Sequence, residues 1–207
     1  MSLPVVVNPP VTASPLCSIS LNRTTQETRI QLQLNVDGNR IVRIDTGLPF
    51  FNHLLEQLAF HAGWDLDLKA EGDIETDDHH LIEDVAIVLG MALDQLRQSR
   101  PGLVRYGQRL LPMDETLVLC AVDLSGRAAA VIDLPFSRET VGGVATEMWP
   151  HFFKTLANKA QLSLHLKTQY FDNHHHLIEA SFKALARCLK EAMAVQSTSV
   201  TSTKGVL

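Results

Sequence analysis

Two adjacent histidines with a carboxylate three residues on occur twice in this chain, as His79-His80-Leu81-Ile82-Glu83 and His175-His176-Leu177-Ile178-Glu179. Imidazole nitrogens and carboxylate oxygens together are metal-ligand chemistry. Residues i and i+4 share a helix face. His79 and Glu83 can therefore grip one ion, and His175 and Glu179 a second. Their neighbours His80 and His176 point roughly 100° away around the helix and are free to reach a different ion. The copying extends upstream: HLLEQLAFHAGWDLDLK from His53 aligns without a gap on HFFKTLANKAQLSLHLK from His151. A lone histidine is more often a surface or satisfied core residue, and one such string arises by chance. Two identical copies, each with an upstream histidine at a matching distance, point to metal.

The ligand set is thus His53, His79, His80, Glu83, His151, His175, His176 and Glu179, sufficient for two ions. Internal symmetry suggests His53, His79, Glu83 and His176 at one ion, and His151, His175, Glu179 and His80 at the other. A mixed nitrogen and oxygen set without thiolate admits Mn, Fe, Co, Ni or Zn. Four protein ligands on an ion preferring six leave positions open for substrate or water.

The elements that must position these groups read as a duplication. Arg29 to Val36 alternates apolar and polar residues, as a half-buried strand does. Asp37-Gly38 signals a hairpin into a second strand, Arg40 to Ile44. Leu54, Leu55, Leu58 and Ala62 have helical spacing within Phe51 to Ala62. Leu66 to Ala70 is a strand, Thr76-Asp77-Asp78 a candidate helix cap, and the next helix runs from the histidine pair to about Leu96. The second half repeats this order. Thr116 to Val122 and Ala128 to Leu134 are strands around Ser125-Gly126; a helix from about Thr146 to Lys159, a strand from Leu162 to Lys167 and a helix from about His174 to Val195 follow. Each half reads β-β-α-β-α, an α+β architecture. Residues 1–22 read as a flexible arm, 23–100 and 101–195 as the two repeats, and 196–207 as a polar tail.

The chain has 207 residues, 45 % of them hydrophobic and 20 % charged, with a net charge of −5. A basic run is absent, which argues against nucleic acid and acidic membrane surfaces as partners. Cys17, Cys120 and Cys188 lack CxxC spacing, which suits free thiols in a reducing cytoplasm. No stretch approaches the ~20 apolar residues of a membrane span, and the first 22 residues hold no Lys or Arg for a signal or transit peptide. Arg105, Arg127 and Lys204 are candidate phosphate binders, though each alone is more often a solvated charge. Ser202-Thr203-Lys204-Gly205 reads either as a frayed terminus or as an anion-binding loop. Glu27 is a lone carboxylate on a strand.

The constellation resembles the imidazoleglycerol-phosphate dehydratases of histidine biosynthesis. The matching pieces are RTTQET (23–28), NHLLEQLAFHAG (52–63), GDIETDDHHLIEDVAIVLG (72–90), RYG (105–107), PMDETL (112–117), DLSGR (123–127), HFFKTLAN (151–158), HHLIEASFKALARCL (175–189) and STKG (202–205). The resemblance implies a monofunctional lyase with two Mn²⁺ per active site. It implies substrate contacts from Glu27, His53, Gln57, His61, Arg105, Arg127 and Lys183, with Ser202, Thr203 and Lys204 holding a phosphate. It implies a fold of two four-stranded sheets with helices packed between them. It also implies trimers assembled by metal into a twenty-four-subunit shell, with active sites built between subunits.

The expected chemistry is dehydration of imidazole-glycerol phosphate to imidazole-acetol phosphate. If two Mn²⁺ bind the ring nitrogens, the ring can become an imidazolate, expel the neighbouring hydroxyl and acidify the next C–H. Glu27 and Glu179 are the candidates for proton transfer. Two departures from the family pattern stand out: Asn52 where an aspartate is expected, and an extra histidine, His174. One rival is a dinuclear metallohydrolase; another is a structural or storage shell assembled by metal.

Overall fold

A computed structural model describes residues 16–197. Its first half runs β1 (Ser18–Thr24), β2 (Thr28–Asn35), β3 (Val42–Asp45), α1 (Pro49–Ala62), β4 (Asp65–Gly72) and α2 (His79–Ser99). The second half runs β5 (Tyr106–Met113), β6 (Thr116–Asp123), β7 (Ala129–Asp133), α3 (Met148–Lys159), β10 (Ser163–Tyr170) and α4 (His174–Ala192), with a small hairpin of β8 (Thr140–Val141) and β9 (Val144–Ala145) before α3. One sheet is ordered β1-β2-β4-β3 and the other β5-β6-β10-β7. In each, the last-named pair is parallel and the others are antiparallel. The two halves therefore share one topology, α+β with two four-stranded mixed sheets.

Three expectations are corrected. Each half has three strands before its first helix, so the unit is β-β-β-α-β-α. The additional strands β1 and β5 are sheet edges, where one-sided packing weakens the alternation; β5 also carries Pro112, tolerated at an edge. β1 takes up the end of the stretch expected to be a loose arm. Finally, Asp37-Gly38 and Ser125-Gly126 do not close hairpins, because β4 lies between β2 and β3, and β10 between β6 and β7. The Asp65 carboxylate instead accepts the backbone N–H groups of Asn39 at 2.6 Å and Ile41 at 2.9 Å, which fastens that connection and lowers the Asp65 pKa.

The four helices fill the space between the sheets. Trp64, Trp149, Phe51, Phe152, Phe153 and Phe182 are among the largest fully buried side chains. Phe51 meets Phe152 edge-on at 5.7 Å, and Phe152 stacks on Phe182 at 5.1 Å, so α1, α3 and α4 share one core. The pairing crosses the repeats: α1 packs along α4, and α2 along α3. Gly90 makes the second approach close. A Cβ there would lie 2.6 Å from Lys159 Cβ and 2.9 Å from the Leu156 carbonyl oxygen. A glycine inside a helix costs about 0.5–1 kcal/mol relative to alanine; here it admits α3.

Candidate metal centre

Crossed packing decides which ligands meet. His53 on α1 points Nε2 at Glu179 Oε2 of α4 at 2.8 Å, and His175 Nε2 meets the same oxygen at 3.0 Å. On the other side, His151 Nε2 of α3 lies 3.0 Å from Glu83 Oε1 of α2, with the His79 and His151 rings 4.7 Å apart. Each trio has donor atoms within 4.8 Å of one another: His53, His175 and Glu179; His79, Glu83 and His151. This overturns the pairing drawn from symmetry, which put His53 with His79 and His151 with His175. Helical periodicity sets which residues share a face, but not which helix that face meets.

Two histidines and a carboxylate converging on one point form a mixed nitrogen and oxygen donor set suited to divalent first-row ions. All six groups sit in the opening turns of their helices. Asn173 caps α4 by accepting the N–H groups of His175 at 2.8 Å and His176 at 3.4 Å. Asp78 does not cap α2 as expected; its Oδ2 accepts the Ala145 N–H at 2.9 Å instead.

His80 and His176 belong to neither trio and face the loops, where their offset around the helix carries them. His80 Nδ1 lies 3.1 Å from Asp73 and 3.9 Å from Glu27. His176 Nδ1 lies 2.8 Å from Glu115, with Asp114 3.9 Å from its Nε2. A carboxylate on Nδ1 orients a ring so that Nε2 is left to ligate. Glu115 and Asp73, although within the matching pieces, were not among the candidate site residues. The signal for Glu115 is the dipeptide Glu115-Thr116, which repeats Glu27-Thr28 at the start of the matching strand.

The two carboxylates differ. Burial raises the Glu179 pKa, but hydrogen bonds from Lys183 and His53 outweigh it and hold the group at about 2. Lys183 Nζ is 2.5 Å from Glu179 Oε1. The Glu179 side chain is 8 % exposed and that of Glu83 37 %. Below the first trio, Gln57 and His61 on α1 are half-buried, and His61 is close enough to Lys183 and Arg187 on α4 to feel both charges.

Arg105 and Arg127 lie elsewhere. Arg105 makes a forked contact to Asp123, at 2.7 and 3.1 Å, at the far end of β6 from Glu115 and His176. Arg127 follows in the next turn, held by Ser125. An eight-residue strand spans about 26 Å, so neither reaches the His175 trio within one chain. Ser202, Thr203 and Lys204 lie outside the described residues. Asn52, the departure beside His53, accepts hydrogen bonds from the Thr46 N–H at 3.0 Å and hydroxyl at 2.6 Å, and so braces the entry to α1. The extra histidine also acquires a partner: His174 Nε2 accepts the Ser137 N–H at 3.1 Å and tethers the segment leading to β8.

Comparison with known proteins follows the same lines. Residues 46–189 match the family model described as Imidazoleglycerol-phosphate dehydratase. The imidazoleglycerol-phosphate dehydratase of Maridesulfovibrio salexigens is 46 % identical over 92 % of this chain and 97 % of that protein. The histidine biosynthesis bifunctional protein of Stenotrophomonas maltophilia is 49 % identical over 90 % of this chain, which spans only 52 % of that relative's length. Among solved structures, the dehydratase from Staphylococcus aureus superposes with a TM-score of 0.80 at 36 % identity, covering 86 % of this chain and 99 % of that one. The enzyme from Pyrococcus furiosus superposes with a TM-score of 0.78 at 35 % identity, covering 90 % and 100 %.

Proposed function

The chain belongs to the imidazoleglycerol-phosphate dehydratase family, and from that premise we propose that it dehydrates imidazole-glycerol phosphate to imidazole-acetol phosphate in histidine biosynthesis. The observation that carries this reading is the pair of crossed trios, His53 with His175 and Glu179, and His79 with Glu83 and His151. The donor chemistry fits two divalent ions, Mn²⁺ in this proposal. When bound, they would supply Lewis-acid charge beside the substrate imidazole.

The chain's own groups take separate parts. Glu179 already faces His53, His175 and Lys183, so ligation is its role rather than proton transfer. Glu27 stands on the β1–β2 turn with its side chain 53 % exposed, 3.9 Å from His80. It is the carboxylate assigned to move a proton; general acid–base catalysis of this kind contributes about 10²–10⁴-fold. Gln57, His61 and Lys183 form one polar wall for the substrate. Arg105 and Arg127, a strand's length from the trios, serve a neighbouring copy, as do the outward-facing His80 and His176. Their placement supports a homo-oligomer of the trimer-built, twenty-four-subunit kind with shared active sites. Ser202, Thr203 and Lys204 are assigned to the phosphate in the same reading. Three free cysteines and the absence, among the described residues, of a helix long and apolar enough to cross a membrane accord with a cytoplasmic location.

The test is formation of imidazole-acetol phosphate by metal-stripped protein before and after Mn²⁺ is added. Activity that appears only with Mn²⁺ is expected. Its absence in protein carrying two ions per chain and fully assembled would leave the trios as structural or hydrolytic sites.

A further inference from the structure

The duplication isolates Asp84. It follows the ligand Glu83, whereas Ala180 follows Glu179 in the second copy. Asp84 is only 6 % exposed. A carboxylate taken out of water at this depth needs a partner, and both partners come from the strands that flank the turn bearing Glu27. Arg23 Nε donates to Oδ1 at 2.9 Å, and the Thr28 hydroxyl donates a short hydrogen bond to Oδ2. The network runs on through the Thr25 hydroxyl, 3.1 Å from that of Thr28. Thr25 Oγ1 accepts the N–H groups of Glu27 at 3.1 Å and Thr28 at 2.9 Å, and the Thr25 N–H bonds the Thr28 carbonyl at 2.9 Å. A continuous hydrogen-bonded path thus joins the N-terminal end of α2, which carries His79 and Glu83, to the backbone of Glu27.

The corresponding turn of the second copy, two residues long against three, lacks this anchor. Thr116 occupies the place of Thr28, yet its buried hydroxyl has no hydrogen-bond partner among the described residues. Glu115, in the place of Glu27, is engaged by His176 at 2.8 Å. One copy fastens its turn from below and leaves the glutamate 3.9 Å from its histidine; the other lacks the anchor and commits the glutamate to a histidine at 2.8 Å.

We propose that Asp84 is a positioning residue that holds Glu27 at a fixed place relative to the His79, Glu83 and His151 trio. The inference rests on the reading of Glu27 as the proton-moving carboxylate. Misplacement of a reacting group by about 1 Å can cost 10²-fold. Asp84→Ala is therefore expected to lower kcat by about 10- to 100-fold, with KM, bound metal and assembly kept.

The test is a double-mutant cycle on assembled, Mn²⁺-loaded protein: Asp84→Ala, Glu27→Gln and both together, with hydrogen exchange read at residues 24–28. If Asp84 acts through Glu27, Asp84→Ala adds almost nothing to Glu27→Gln, and exchange quickens in that turn. Asp84→Asn keeps the volume and one acceptor; it covers the case in which the alanine variant fails to fold, and an intermediate loss is expected. Thr116→Val, at the matching unanchored position, should leave turnover unchanged. Equal losses from Asp84→Ala in both Glu27 backgrounds, or unchanged exchange at 24–28, would overturn the inference alone. A fully active Glu27→Gln would instead bring down the Glu27 reading and the inference with it.

Discussion

Between α1 and α4, Glu179 is buried and faces His53, His175 and Lys183; between α2 and α3, Glu83 is more exposed and meets His151 at 3.0 Å. The seams open on matching ligands and then diverge. Along the first come Gln57, His61, Lys183 and Arg187; at the matching places along the second stand Thr155, Lys159, Ile87 and Met91. Duplication supplied two equivalent trios of histidine and glutamate, and the residues one and two turns further on made them unequal. One seam continues as a polar, cationic wall. The other closes through Gly90 into tight helix contact.

The largest expected effect erases the difference. His53→Ala and His151→Ala each remove a ligand, and each should take dehydration to background, because both trios are needed. An active variant of either kind would reduce that seam to a structural one. The next contrast exposes the asymmetry. Lys183→Met should lower kcat/KM by about 10- to 100-fold, the range of a charge-assisted hydrogen bond worth about 1.5–3 kcal/mol. Ile87→Met, its counterpart, should be almost silent in steady-state kinetics. Gly90→Ala forces α3 from α2 and should cost about 1–3 kcal/mol in chemical denaturation, with metal lost first from the His79, Glu83 and His151 trio.

The smallest effect is one of pH. Burial lowers the His61 pKa from 6.5, and repulsion from Lys183 and Arg187 adds to it. A histidine kept neutral in the fold gives stability that is present above that ordinary value and is lost as pH falls through the lowered one. His61→Gln should therefore flatten the acid side of the stability profile, while Lys159→Gln, its counterpart in the other seam, leaves the profile unchanged.

The candidate ligand residues and the four helices were legible because HHLIE is repeated verbatim and the helical periods are long; that six of those residues gather into two trios is what the structure adds. The sheet edges were not: β1 and β5 bury one side weakly, and Asp37-Gly38 and Ser125-Gly126 advertised hairpins that do not form. The pairing of His53 with His175 was not legible either, since it follows from packing between repeats. Asp84 reads locally as one more acid after Glu83; only in three dimensions does it meet Arg23 and Thr28, 61 and 56 residues away in the chain.

Counting bound Mn²⁺ per chain in paired ligand variants tests the crossed arrangement most directly. His53→Ala with His175→Ala removes two ligands from one trio and should leave one ion bound. His53→Ala with His79→Ala takes one ligand from each and should weaken both ions together. One ion lost cleanly from the second pair, with both weakened by the first, would contradict the crossed trios.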